Sequence, residues 1–237
     1  MDKGLIVDLE TTGLDAKVDK IIEIGIVEFG ISEGFTPHFL SSYSELEDPG
    51  CQLDENIKNI TGITNEMLRS KFIDWNKVVD LFTSASIVIA HNMDFDRSFL
   101  LNVEKIKNLD IHWGCSLKHI DWNKHGFKSA SLNYLAADHG FINPFAHRAV
   151  FDCATTYRLI SPYLKELIDK SFQKEVKIIA CNAPYKMREH LKNKGYRWDP
   201  NDRVWYKVAF ENNLEEEREF LQEKIYDGRS LHKEMAV

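Results

Sequence analysis

The sequence predicts an α/β layered domain over residues 1–170, followed by a small α+β module over residues 171–237. Three observations lead there. Strand-like and helix-like apolar patterns follow the order ββ(β)αβαβαα up to about residue 168, as in a sheet covered by helices. A shorter series of strand, helix and hairpin patterns then starts over. The charge changes with it: residues 1–170 hold 17 Lys+Arg against 25 Asp+Glu, residues 171–210 hold 9 against 4, and residues 211–237 hold 4 against 8.

Gly4 to Glu10 reads as the first strand, an apolar Leu5-Ile6-Val7 closed by Asp8-Leu9-Glu10. Ile21 to Phe29 alternates Ile22, Ile24 and Ile26 with smaller or charged residues. Glu33 to Ser41 can pair with it through Gly30-Ile31-Ser32-Glu33-Gly34, a short connection with Gly at both ends. Asn65 to Thr83 has helical spacing, Ser86 to Ala90 reads as a short buried strand, and Asp94 to Lys107 as a helix with Phe95, Phe99 and Val103 at four-residue steps. Ile111 to Cys115 is a further strand candidate. Ser129-Ala130-Ser131 resembles a helix start before Leu132, and His147 to Leu167 is helical apart from Pro162. In the module, Val176 to Ala180 is strand-like and Tyr185 to Lys194 amphipathic, with Gly195 placed to cap it. Asp199-Pro200-Asn201-Asp202 marks a hairpin turn between Tyr196-Arg197-Trp198 and Val204-Trp205-Tyr206. Glu211 to Tyr226 reads as a charged helix, with fraying expected after it.

Composition removes several classes. At 43% hydrophobic residues with only 12 Gly and 6 Pro in 237, the chain can bury a core and is not disordered. Apolar runs such as Ser86 to Ala90 fall far short of the roughly 20 residues needed to cross a bilayer. No basic stretch followed by an apolar one opens the sequence, so a soluble, cytoplasmic protein is expected. The four cysteines, Cys51, Cys115, Cys153 and Cys181, form no Cys-x-x-Cys pair. Reduced, mostly buried thiols are expected.

Three clusters can carry chemistry. Asp8 and Glu10, at i and i+2 on a strand, share a face at the strand end where open α/β sheets place ligands. Asp96 lies one turn into a helix that leaves the strand ending at Ala90, through His91-Asn92. Asp152 lies on a helix five residues after His147, so the two converge only if His147 sits in the loop before that helix. Taken singly, each has an ordinary reading: a solvated strand end, acids favouring a helix N-terminus, an exposed histidine. Together, four carboxylates and a histidine make the set that two-metal phosphoryl chemistry needs. That set is oxygen ligands for two hard cations roughly 3.5–4 Å apart and a base that titrates near neutrality.

Asp8-Leu9-Glu10-Thr11-Thr12-Gly13-Leu14, His91-Asn92-Met93-Asp94-Phe95-Asp96, and His147 with four residues before Asp152 resemble the three motifs of the DEDDh exonuclease family. That family includes the proofreading epsilon subunit of bacterial DNA polymerase III, exonuclease X and ribonuclease T. Ile21-Ile22-Glu23-Ile24-Gly25 and Ile60-Thr61-Gly62-Ile63-Thr64 also look like family segments, and the resemblance covers about residues 4–165. It implies a ribonuclease H-like five-stranded mixed sheet flanked by helices, and 3′-to-5′ removal of nucleoside monophosphates with two Mg²⁺ or Mn²⁺. Carried over, Asp8, Glu10, Asp96 and Asp152 become metal ligands, with Glu10 also at the reacting centre, and His147 becomes the general base. The Thr11 and Thr12 backbone would approach the terminal nucleotide, Leu14 would wedge against its base, and Asn92 would hold the substrate backbone or the motif turn. For Arg148 and Phe151, helix packing explains as much as substrate contact.

The expected partners are single-stranded or frayed 3′ ends of DNA, with a polymerase or repair complex alongside. RNA 3′-end trimming is the alternative substrate, and a non-catalytic nucleic-acid or polymerase adaptor the alternative class. Self-association is common in relatives, but no interface for a homo-oligomer is legible here. In the module, basic residues interleave with Tyr185, Tyr196, Trp198, Trp205 and Tyr206, a composition that suits a nucleic-acid strand or a protein partner. The large aromatics serve equally as the core of so small a unit.

Overall fold

The run Leu5-Ile6-Val7 makes the strand around which the first unit is built. A computed structural model describes residues 2–236, which divide into two units after Ser171. In the first, β1 (Asp2–Thr11) pairs antiparallel with β2 (Ile21–Ile31), and β2 with β3 (Pro37–Leu46). On the other side β1 runs parallel to β4 (Ile87–Ala90), and β4 to β5 (Trp113–Cys115). The result is a five-stranded mixed sheet in the order β3-β2-β1-β4-β5.

Side chains alternate across a strand, so β1 feeds two cores. Leu5, Val7 and Leu9 pack on one face with α3 (Trp75–Ser84) and α4 (Met93–Leu100), through Val78, Phe82, Phe99 and Leu100. Ile6 packs on the other with α6 (Leu132–Asp138), α7 (Ala149–Ile160) and α8 (Leu164–Ser171), through Leu135, Cys153, Leu159 and Leu167. Asp8 and Glu10 continue the Ile6 face beyond the apolar layer, on the side where α7 begins.

Several boundaries differ from expectation, each for a local reason. β3 starts at Pro37 rather than Glu33, because Gly34 (φ 76°) and Phe35 (φ 60°) turn the chain in a short 3₁₀ segment. The helix expected over Asn65 to Thr83 is two: α2 (Asn65–Leu68) and α3, the latter capped afresh by Asp74, whose carboxylate accepts from Asn76 N and Lys77 N. α4 stops at Leu100, short of Lys107. The helix expected from His147 starts at Ala149 and is interrupted by a 3₁₀ turn at Ser161–Tyr163, around Pro162. A short helix, α1 (Glu55–Thr61), escaped the apolar pattern, being mostly polar, although Asp54 at its start and Gly62 (φ 69°) at its end mark it. α5 (Ser116–His119) is one turn after β5. All four cysteines are free; Cys115 and Cys153 are buried, but Cys51 is exposed.

The second unit has a four-stranded antiparallel sheet in the order β7-β8-β6-β9, from β6 (Glu175–Ala180), β7 (Arg197–Asp199), β8 (Val204–Phe210) and β9 (His232–Ala236). α9 (Arg188–Asn193) and the π turn Leu221–Ile225 that continues α10 (Leu214–Phe220) pack on one face of it, through Leu191, Leu221 and Ile225 against Ile178 and Ala180. Gly195 ends the α9 turn at φ 90°, as its position suggested. The last described residues do not fray: His232–Ala236 form β9, paired to β6. Its short sequence, with His232 and Glu234 on one side and Lys233 and Met235 on the other, shows no apolar alternation, which hid it.

Gly25 is where α7 meets the sheet. A Cβ there would lie 2.3 Å from Ala149 C and Val150 N, inside contact distance of backbone that cannot swing away. Gly25→Ala should therefore cost about 1–3 kcal/mol by overpacking and shift the urea midpoint down accordingly. A midpoint within error of the parent would mean that α7 is not packed this closely.

Candidate active site

Four carboxylates converge at the end of β1. Asp8 and Glu10 arrive from the strand. Asp96 arrives from α4, which turns back from the end of β4, and its Oδ1 accepts a hydrogen bond from Leu9 N at 3.1 Å. Asp152 arrives from the first turn of α7. Its Oδ1 accepts from Asn143 Nδ2 at 2.6 Å and its Oδ2 from His147 N at 2.9 Å. Asp96 and Asp152 are buried, at 2% and 7% exposure.

His147 lies in the loop before α7, as convergence with Asp152 required. Its φ is +63°, a left-handed conformation that a side chain with a Cβ adopts at a cost. That turn delivers the His147 amide to Asp152 and leaves the imidazole exposed beside the carboxylates. Glu10, His147 and Asp152 each offer a ligand atom, and these atoms lie within 4.8 Å of one another.

The electrostatics are those of a cluster awaiting counter-charge. Burial, and after it the charges of Asp96, Asp152, Glu10 and Glu23, push the Asp8 carboxyl well above its usual range. Burial, then Asp152, Glu23 and Asp96, push Glu10 up to about 8, with Arg148 opposing. Asp96 and Asp152 are also raised, chiefly by burial, against the hydrogen bonds they accept. Cations joining such a cluster favour its ionised form. Hard carboxylate oxygens with an imidazole at the rim fit Mg²⁺ or Mn²⁺ chemistry and would not suit a thiophilic metal.

The remaining sequence candidates fall around this point in different states. Thr11 is buried and its hydroxyl donates to Gly13 O at 2.5 Å. Thr12 N donates to Lys20 O at 2.9 Å, and its hydroxyl bonds Asp19 and Lys20 N, so its amide is not free for a nucleotide. Leu14 is 87% exposed just beyond the strand end, a large apolar side chain with nothing yet to cover it. Asn92 is exposed at the start of α4 and makes no side-chain cap there.

Two residues that the sequence argument did not single out shape the site. Glu23, 1% exposed on β2, accepts from Arg148 Nε and Nη2 and from Ala149 N, pinning the first turn of α7 to the sheet. Arg148 is thereby a positioning residue. An acid at the centre of the apolar run Ile21-Ile22-Glu23-Ile24 was the available signal. Asn143 orients Asp152 from a loop, where no periodicity could mark it.

A family model of RNase_T exonucleases matches residues 5–160, a span holding all five chemical positions. The chain belongs to the exonuclease family. On that ground it is an enzyme, a phosphodiester hydrolase. It is 32% identical over 173 residues to DNA polymerase III PolC-type of Pediococcus pentosaceus, covering 69% of this chain and 11% of that protein. To the Bacillus subtilis PolC-type polymerase it is 31% identical over 182 residues, 71% of this chain and 12% of the other. The chain thus matches about a tenth of the length of these polymerases. Among solved structures, exonuclease X in complex with 5′ overhanging duplex DNA shares the fold (TM-score 0.53, 21% identity, 71% of this chain and 99% of that one). So does the nuclease domain of 3′hExo bound to rAMP, at TM-score 0.58 and 16% identity over 70% of this chain and 92% of the other. The ribonuclease H-like sheet expected from the motifs is the one observed. No helix among the described residues is long and apolar enough to cross a membrane.

The raised carboxyls carry a pH consequence. They hold protons more tightly folded than unfolded, so the metal-free protein loses stability as pH rises from the ordinary carboxyl range, near 4, through about 8, the Glu10 value. A cation binding only the folded, ionised cluster reverses that loss. The melting temperature in EDTA should be lower at pH 8.5 than at pH 6, and millimolar Mg²⁺ should raise it more at pH 8.5. Equal melting at both pH values, or an equal metal effect, would contradict the cluster.

Proposed function

We propose that the enzyme removes nucleoside 5′-monophosphates one at a time from DNA 3′ ends, using two Mg²⁺ or Mn²⁺ ions held by Asp8, Glu10, Asp96 and Asp152. The observation that carries the reading is the convergence of these carboxylates, from three separate elements, beside the His147 imidazole. Two such ions supply a Lewis acid at the scissile phosphate and offset the charge on the attacking and leaving oxygens.

The protein's own groups do the rest. His147, exposed at the rim, accepts the proton of the attacking water. Its unusual backbone turn holds it within reach and at the same time fixes Asp152. Asn143 holds the other Asp152 oxygen, and Glu23 with Arg148 fixes the helix that carries it. Leu14, exposed beside the strand end, is placed to pack on the 3′-terminal base, with Thr11, Thr12 and Asn92 around the terminal nucleotide. DNA is favoured over RNA because the relatives at about 30% identity are named as DNA polymerases. The same names favour a polymerase or repair complex as partner, in a proofreading or repair role.

The test uses 5′-labelled single-stranded DNA and RNA of one sequence, each with Mg²⁺, resolved on a sequencing gel. A one-nucleotide ladder on DNA is expected, absent with Asp8→Ala and with Asp152→Ala. His147→Ala should slow it about 10²–10⁴-fold, the usual range for a general base. A ladder on RNA alone would replace DNA as the substrate. Turnover surviving in both aspartate variants would remove the metal-ligand assignment.

A further inference from the structure

The second unit leaves one face of its sheet uncovered, and the cations on that face are of a different kind from those on the other. Partners across antiparallel strands share a face. Trp198, Trp205, Ala180 and His232 make one row on the side where α9 and α10 pack, and Lys207, Ile178 and Glu234 the next. Three cations on that side are paired with acids. Lys207 reaches Glu217 at 2.5 Å, Arg218 reaches Glu234 at 2.7 Å, and Lys194 pairs with Glu216.

The opposite face carries the row Arg197–Tyr206–Ile179–Lys233, one residue from each of the four strands. The next row is Val208–Lys177–Met235, in which Val208 and Met235 are 40% and 56% exposed. Arg197 and Lys233 are exposed, and among the described residues neither they nor Lys177 has an ion-pair partner. The Lys177 ammonium sits 4.4 Å over the Tyr206 ring. Acids on this face lie at its ends: Asp199 is occupied in the hairpin turn, accepting from Asn201 N and Asp202 N, and Glu175 stands opposite Phe210 at the start of β6.

We propose that this face binds single-stranded DNA: a base stacks on Tyr206 and the apolar centre, while Arg197, Lys177 and Lys233 contact flanking phosphates. Three strand spacings separate Arg197 from Lys233, about 14 Å, which leaves room for a stacked base with a phosphate on either side. A polyanion is the occupant that complements unpaired cations around an aromatic centre, and a single strand is the form whose bases are free to stack. A protein partner would be expected to meet an apolar centre ringed by both signs of charge. The sequence set Tyr185, Tyr196, Trp198, Trp205 and Tyr206 together among the cations, but the last four stand in different places. Tyr196 is buried and bonded to Glu217, Trp205 packs towards the helices with Trp198 tilted against it, and only Tyr206 faces the open side.

The choice of DNA rests on the substrate proposed above, but the two fail separately. Fluorescent dT20 binding to the full chain is followed by anisotropy in excess EDTA, so that neither turnover nor metal-bridged contacts contribute. Arg197→Glu with Lys233→Glu should weaken binding at least tenfold and flatten the dependence of log K on log salt by about 1.4, the value for two single-strand phosphates. Tyr206→Ala should weaken it at least fivefold. Mg²⁺-dependent hydrolysis of a labelled dinucleotide, which offers only the scissile phosphate to the carboxylates of the first unit, should stay unchanged in the charge-reversed protein. Lys192→Glu, on α9, is the control and should leave dT20 binding as it is. Binding within twofold of wild type in a charge-reversed protein with native melting would overturn the proposal, as would rU20 bound more tightly than dT20.

Discussion

Repulsion among four carboxylates is the constraint on which the first unit's architecture turns. Each acid sits where burial already disfavours its charge, and the charges of Asp96 and Asp152 raise the proton affinity of Asp8 and Glu10 further. Left to itself, such a cluster would spread. It is held because the four acids ride on elements fixed by independent apolar contacts: Asp8 and Glu10 on a strand with cores on both faces, Asp96 on α4, Asp152 on α7. Stability is gathered in the two apolar layers, and the strand ends beyond them hold a charge arrangement that would be unfavourable without cations. That division lets one site be both strained and well placed.

The α7 junction shows how closely placement is controlled. Gly25 lets the helix backbone reach the sheet, Glu23 draws Arg148 and the Ala149 amide onto it, and Cys153 Sγ donates to Gly25 O at 3.2 Å. His147 then takes a left-handed turn that directs its amide to Asp152. A buried acid bonded to Arg148 and a helix N-terminus is thus a bracket for Asp152, since a shift of the first turn of α7 would move Asp152 and His147 together. The Glu23 charge also bears on Asp8 and Glu10, so the bracket adds to the field that cations relieve.

The chemical positions were legible because their spacing follows from local geometry. An i, i+2 pair at a strand end and an acid one turn into the next helix are readable from period alone, and the offset of His147 from Asp152 required a loop, which is what stands there. The sheet was legible for the same reason, its strands being apolar runs. What could not be read depends on contacts distant in sequence. Asn143 bonds Asp152 from a loop without pattern, Glu23 meets Arg148 across 125 residues, and the Thr12 amide is consumed by Lys20 O across a turn. α1 and β9 escaped because each is short and polar, and for β9 only the register with β6 reveals that it is a strand.

The two units stand in electrostatic contrast, and the contrast has a physical use. Residues 1–170 carry a net excess of acids, which repels a polyanion at long range. Cations at the carboxylates offset that only at the site itself. Among the basic residues of 171–210, Lys194 and Lys207 pair with Glu216 and Glu217 on the helix-covered side of the second sheet, whereas Lys177 and Arg197 stand on its open side without an ion pair among the described residues. Only unpaired cations release counterions on meeting phosphates, so only they contribute to affinity for a strand. A strand held by one unit is presented to the other at the effective concentration set by the connecting chain, not by the solution. An enzyme whose catalytic end repels its substrate gains most from such an arrangement, because the attraction it lacks locally is supplied elsewhere on the same chain.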